Sequence, residues 1–279
     1  MYKMICIDID GTLVQPDLSV SQANAEAIAK AKAKGVVIAL STGRMHRSAL
    51  AYADELQLTD PIISSNGAYV RSKEGNEVYY EQNLSTEDLQ FLVNTLEKFD
   101  TKINFYDPRE MFISEVRDYV LRYERAAATL PENRRIAIRY LSESYTMEDF
   151  IAEKGGKIQK GIVFPRPDRI DAIREAVAQN PSIRVVSSGA DNLEFTSWHA
   201  DKGKGVLALA KVLNIQPHEI IAVGDSENDL AMLRVAGMPV AMGNAAPEVK
   251  AAAKYVTGTN LEDGVARMIH RFILEENPS

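Results

Sequence analysis

Short apolar runs alternate with longer amphipathic stretches over about the first eighty residues. Lys3 to Ile9 is β-branched and apolar, the pattern of a buried strand. Ser19 or Ser21 is placed to cap a helix that runs through Ala31 and closes at Gly35. Val36 to Leu40 reads as a second strand, Met45 to Leu58 as a helix and Pro61 to Ser64 as a third strand. Strand and helix in strict alternation predict right-handed crossovers and a parallel sheet.

The same rhythm returns near the end of the chain. Asp191 to Thr196, Ile220 to Val223 and Pro239 to Met242 read as strands. Lys202 to Leu213, Glu227 to Val235, Ala246 to Ala253 and Leu261 to Leu274 read as helices. The stretch between differs. Ser85 to Asp88 opens a helix with a capping-box pattern. Short strands are predicted at Ile103 to Phe105, Met111 to Ser114, Lys157 to Phe164 and Ile183 to Val186, with helices at Met147 to Glu153 and Asp168 to Gln179. Arg134 to Arg139 fits either state. The expected fold is α/β: a Rossmann-like parallel-sheet core from residues 1–82 and 191–279, with an α+β cap inserted at 83–190.

Composition narrows the function. The 279 residues include 32 Lys or Arg against 39 Asp or Glu, a formal charge of −7. That balance argues against nucleic acid or an anionic membrane as the main partner, since both need a basic footprint. It leaves room for a small anionic ligand at a local positive site. One cysteine, Cys6, precludes an intrachain disulfide and fits a reducing compartment. No apolar run reaches the ~18 residues of a membrane helix. The first residues run directly into the apolar stretch before Asp8 without the pattern of a secretory signal, so a cytoplasmic protein is expected.

Four strand ends carry the candidate chemistry. Asp8-Ile9-Asp10-Gly11-Thr12 follows the first strand. Two acids after a buried run repel each other unless a cation or a shared proton lies between them. Ser41-Thr42-Gly43-Arg44 follows the second strand and leads into a helix, a setting for an ordinary N-cap or an anion site. Asp201-Lys202-Gly203-Lys204 puts lysine at a helix start, against the helix dipole. Alone it is a solvated charged turn. Gly224-Asp225-Ser226-Glu227-Asn228-Asp229 gathers acids at the end of a later strand, where they also suit a helix's first turn. Together, hard oxygen ligands without a His or Cys cluster suit Mg²⁺ bound with waters and phosphate oxygens. Glycine-rich dinucleotide and Walker signatures are both missing. Cys6 reads as core, Trp198 as packing, and Asn66-Gly67 as a hairpin turn, while His199 lies near Lys202.

These pieces, in this order, resemble the haloacid dehalogenase superfamily and, within it, the Cof-type (subclass IIB) phosphatases. Ser65-Asn66-Gly67-Ala68, Met242-Gly243-Asn244-Ala245 and Glu262-Asp263-Gly264-Val265 extend the likeness. The resemblance implies Asp8 as nucleophile, forming an aspartyl-phosphate, and Asp10 as the acid that later activates water. It implies Mg²⁺ on Asp8, the backbone carbonyl of Asp10 and Asp225. Backbone amides near Ile9 and Gly43, with Thr42, Lys202 and Asn228, would hold the phosphoryl oxygens, and Asp229 would support them from behind. Lys202 and Lys204 compete for the lysine role. Trp198-His199-Ala200-Asp201 departs from the family's glycine-containing turn. The expected activity is hydrolysis of small phosphate monoesters such as sugar phosphates or phosphorylated cofactor precursors. A phosphomutase or phosphotransferase, or a non-catalytic sensor of phosphometabolites, are the alternatives. Tyr106, Arg109, Lys157, Lys160 and Ser188 are the cap side chains considered for the substrate side.

Overall fold

The computed structural model describes residues 1–74, 76–127 and 131–275. At its centre, strands Met4–Ile7 and Ile220–Gly224 lie parallel, with every residue buried. Val37–Leu40 flanks the first strand, and Met238–Ala241 then Tyr255–Val256 flank the second. A parallel bridge from Ser41 to Ile63 brings Ile62–Ser64 in beyond Val37–Leu40. Unbroken apolar strands are what a sheet covered on both faces requires. Helices Gln22–Ala33, His46–Glu55, Lys202–Val212 and Gly264–Ile269 supply that cover, and their apolar stripes join one core with the strands. Ser21 is the first helix's cap, its hydroxyl accepting from the Asn24 amide at 3.2 Å. Gly35 follows that helix at φ +81°, a conformation that favours glycine.

A second sheet has its own core. Its six strands run in the order Ile183–Val186, Leu193–Ser197, Lys160–Val163, Asn104–Tyr106, Glu110–Ile113 and Ala137–Tyr140. The first four pairings are antiparallel and the last is parallel. Helices Thr86–Glu97, Met147–Lys154 and Ile170–Val177 pack against one face, around Phe105, Phe112, Phe150 and Phe195. The opposite face carries Tyr106, Lys160, Ile162 and Glu194 to a cavity. The two-residue period of a strand sorts these side chains: Phe105, Val163, Leu193 and Phe195 go one way, and their neighbours the other.

This sheet corrects one expectation. The strand predicted from Asp191 does not begin the returning parallel layer. Leu193–Ser197 pairs antiparallel with both Lys160–Val163 and Ile183–Val186. Its apolar residues fit the phenylalanine core, and strand pairing is decided by that burial rather than by proximity to Lys202 in the chain. Three strands and one α-helix were absent from the sequence reading. Tyr69–Arg71 and Val78–Glu81 form a small antiparallel sheet with Ile62–Ser64. Tyr255–Val256 is the third strand, and the helix is Asp118–Ala127. Among the described residues, no helix is long and apolar enough to cross a membrane.

Candidate active site

A parallel sheet presents its strand ends along one edge, where ligands bind in open α/β folds. Four loops meet there: Asp8–Leu13, Ser41–Arg44, Ser65–Gly67 and Asp225–Asp229. The first loop leaves its strand through Asp8 and turns at Gly11, φ +77°. A Cβ at Gly11 would lie 2.5 Å from Oδ2 of Asp225, so only glycine lets the two loops approach this closely.

Lys202 is the hub. Its side chain is fully buried, and Nζ donates to Asp8 Oδ1 at 2.6 Å and to Asp229 Oδ1 at 2.5 Å. Burial alone would lower its pKa, but Asp229 and Asp8 outweigh that and raise it. Lys204 is excluded from the cluster: its Nζ donates to the Trp198 carbonyl at 2.7 Å on the surface. Helix phase brings Lys202, and not Lys204, into the cluster. His199 is exposed, and its carbonyl accepts from Tyr80.

Asp229 is spent on structure. Besides Lys202, it accepts from the backbone amides of Asp225 and Ser226 at 2.9 and 3.0 Å. Asp225 accepts from the hydroxyls of Thr12 at 2.9 Å and Ser226 at 3.0 Å, but has no cation of its own within ion-pair distance among the described residues. Burial, then the charge of Asp229, pushes its carboxyl up to about 6. Burial and the charges of Asp229, Asp225 and Asp10 likewise raise Asp8 well above the carboxylate range, against the pull of Lys202. One oxygen from each of Asp8, Asp225 and Asp229 lies within 4.8 Å of the others. Three clustered carboxylates with one lysine leave an excess of buried negative charge. That excess, on hard oxygen donors, fits a divalent cation such as Mg²⁺. Asp8 and Asp225 are the members whose oxygens are not consumed by Asp229's amide and lysine bonds.

Asp10 turns the other way. Its half-exposed carboxylate is gripped by Arg44 through Nε at 2.7 Å and Nη2 at 2.6 Å. Burial would raise Asp10, but the bonds and charge of Arg44 dominate and hold it below the usual range. Arg44 belonged to a recognised motif yet received no role from sequence; only the fold brings it over Asp10.

The remaining candidates divide. Asp8, Asp10, Gly43 and Asn228 border a cavity of about 850 Å³ between the two sheets. Ile9 and Thr42 are buried, and the Thr42 hydroxyl accepts from the Arg44 amide at 3.1 Å. Asn228 Nδ2 donates to Asn66 Oδ1 at 3.1 Å, and Asn66 Nδ2 donates to Glu194 Oε2 at 2.5 Å. Glu194 also accepts from Ser188 at 2.7 Å and pairs with Lys160 at 3.2 Å, and Lys160 Nζ reaches the Gly43 carbonyl at 2.6 Å. The second sheet thus touches two of the four loops through buried polar groups. Tyr106, Lys160 and Ser188 line the cavity as considered, whereas Arg109 and Lys157 are exposed outside it. Asn66 and Glu194 were missed. Asn66 looked like a hairpin residue, and it does make that turn at φ 55°, with its side chain left over for Asn228 and Glu194.

The chain matches the family model described as haloacid dehalogenase-like hydrolase over residues 5–269. It is 30% identical to the phosphatase YwpJ of Bacillus subtilis (strain 168), covering 97% of this chain and 100% of that protein. It is 28% identical to a 5-amino-6-(5-phospho-D-ribitylamino)uracil phosphatase, YcsE, of the same organism, covering 98% and 96%. Among solved structures, the subclass IIB sugar phosphatase BT4131 superposes with a TM-score of 0.80 at 26% identity, covering 97% of this chain and 98% of that one.

Proposed function

The chain belongs to the haloacid dehalogenase-like hydrolase family, and from that premise we propose that it is a Mg²⁺-dependent phosphatase of small phosphate monoesters. The observation that carries this reading is the buried Asp8–Lys202–Asp229 cluster with Asp225 beside it, opening onto the cavity through Asp8. The parallel sheet and its loops are read as the catalytic core, and the six-stranded sheet as a cap. The chain's return to the core then falls after Ser197 rather than at 191. Relatives that act on sugar phosphates and on a phosphorylated ribitylaminouracil are consistent with a small phosphorylated metabolite as substrate.

Asp8 and Asp225, with the Asp10 carbonyl, would hold the cation. When bound, it would offset the repulsion between these carboxylates and the substrate's phosphate. Lys202 fixes Asp8 by Oδ1, leaving Oδ2 to attack phosphorus. The bond to the leaving oxygen breaks, and that oxygen takes a proton from Asp10. Water then attacks the aspartyl-phosphate, giving its proton to the Asp10 carboxylate. Phosphate leaves and Asp8 is regenerated. Arg44 favours the carboxylate form of Asp10, as this second step requires. Sharing Arg44's charge with an arriving phosphate would ease the protonation that the first step requires. Lys202 and Asn228, with amides near Ile9 and Gly43 and the Thr42 hydroxyl, are proposed to meet the phosphoryl charge, the largest contribution in such reactions.

The test is phosphate release from a panel of monoesters, including p-nitrophenyl phosphate, with Mg²⁺ and with EDTA. We expect release with metal and its loss, at least about a hundredfold, on chelation. Release that is indifferent to EDTA would remove the metal from this reading. Gly11→Ala should lower kcat about a hundredfold, because displacement of Asp225 by about an ångström suffices for that loss. Unchanged kcat in Gly11→Ala would mean that Asp225 is not placed by this approach.

A further inference from the structure

We infer that the wall of the cavity beyond Asp8 and Asp10 contains an anion-recognition subsite centred on Arg47, so that the substrate's leaving group carries a second acidic group. This rests on the phosphatase reading and deepens it by naming a substrate class.

The geometry starts from helix His46–Glu55, which presents Arg47, Ser48 and Ala51 to the cavity at the three- and four-residue spacing of one face. Arg44, just before that helix, holds Asp10 and also approaches Ser48 Oγ at 3.4 Å. Arg47, three residues after Arg44, lines the same cavity as Asp8 and Asp10. A leaving group that extends along this helix from the phosphorus would meet it.

Charge accounting separates Arg47 from four of the other cations there. Arg44 is answered by Asp10, Lys160 by Glu194, Arg117 by Glu115, and Arg134 by Asp54 and Glu74. Arg47 gives its Nη1 hydrogen bond to the Arg135 carbonyl at 2.8 Å, and has no carboxylate within ion-pair distance among the described residues. Asp107, whose charge acts to raise Arg47, is already bonded to Lys154 and to two amides. Burial and the like charges of Arg109, Arg134 and Arg71 lower the pKa of Arg47. Burial first, and then the charges of Arg71, Arg134, Arg47 and Arg109, push the buried neighbour His46 down to about 3. Two acids also border the cavity, Asp118 and Asp191, but both are exposed and on other elements. The exposed Arg122, on the same helix as Asp118, also lines the cavity and likewise has no carboxylate within ion-pair distance among the described residues. An arginine in a positive field, facing a cavity of about 850 Å³, is a site for an anion brought by the ligand.

The experiment compares matched pairs with the full-length chain in Mg²⁺. Glycerol 3-phosphate against 3-phosphoglycerate tests a carboxylate, and fructose 6-phosphate against fructose 1,6-bisphosphate tests a second phosphate. We expect the acidic member of at least one pair to be preferred about tenfold or more in kcat/KM, and the arm that responds identifies the group. In Arg47→Gln that preference should collapse, mainly through KM, as loss of uniform binding requires. Arg47→Lys, which keeps the charge, should retain much of it. Equal treatment of both members of both pairs by the wild-type chain overturns the inference without any variant. So does a preference that survives Arg47→Gln. Calorimetric titration of the same pairs separates this from the parent reading. Tighter binding of acidic members with no phosphate released would refute the phosphatase and keep the subsite. Ready hydrolysis of the neutral members with no acidic preference would do the reverse.

Discussion

Asp8→Asn is expected to reduce phosphate release by at least about 10⁴-fold, the scale seen when a nucleophile is removed from a cooperating site. The fold should survive. Asparagine keeps the shape of the side chain and an oxygen for Lys202, whose charge stays satisfied by Asp229. The native site crowds Asp8 against Asp229, Asp225 and Asp10, so removing its charge relieves repulsion. We therefore expect a midpoint of thermal unfolding equal to or above that of the wild type in EDTA. Steady-state phosphate release and calorimetry on the same preparation read both quantities. Activity within tenfold of the wild type would exclude Asp8 as the nucleophile.

Lys202→Met should be the most damaging single change to stability. The side chain is fully buried between Asp8 and Asp229. Deleting one partner of such a cluster leaves uncompensated carboxylates in the interior, which costs about 3–5 kcal/mol. The loss should appear as a lower midpoint in urea, measured in EDTA so that no bound cation offsets the missing lysine. Activity should vanish as well, since Asp8 loses its positioning bond. Adding Asp229→Asn to Lys202→Met separates the two effects. It should recover part of the stability by removing one of the stranded charges, and none of the activity. If Lys202→Met unfolds with the wild-type midpoint, the buried cluster is not what holds these loops together.

Both predictions concern residues that the sequence already singled out, and the reason is local. Apolar runs four or five residues long mark buried strands, and the residue after each run must sit at a strand end. Asp8, Ser41 and Asp225 could be placed at one edge on that basis alone. Lys202 stood out because a lysine at a helix start opposes the dipole, a rule broken where function requires it. The capping boxes at Ser85 and Thr146 reflect chemistry only three residues long, and the first was legible for that reason.

Other features needed the folded chain. Helix Asp118–Ala127 was not recognised because, among its described side chains, few are buried. Val120 is buried in a core cluster, while Tyr123 is anchored through its hydroxyl to Ser48, 75 residues away in sequence. The strand Leu193–Ser197 was recognisable as a strand, but its partners were not. A period of two fixes which side chains share a face and says nothing of which sheet receives that face.

The sequence by itself therefore determined the parallel core, the order of its strand-end motifs and the acidic, metal-compatible character of their chemistry. These follow from periodicity, turn residues and residue type, all of which act over a few positions. Only the tertiary structure decided that Lys202 rather than Lys204 enters the cluster, that Arg44 grips Asp10, and that Glu194 reaches Asn66 across a separation of 128 residues. It also decided which cations on the cavity wall are paired and that Arg47 has no carboxylate within ion-pair distance among the described residues. Such pairings depend on distance and burial between segments far apart in the chain, and no local pattern carries either quantity.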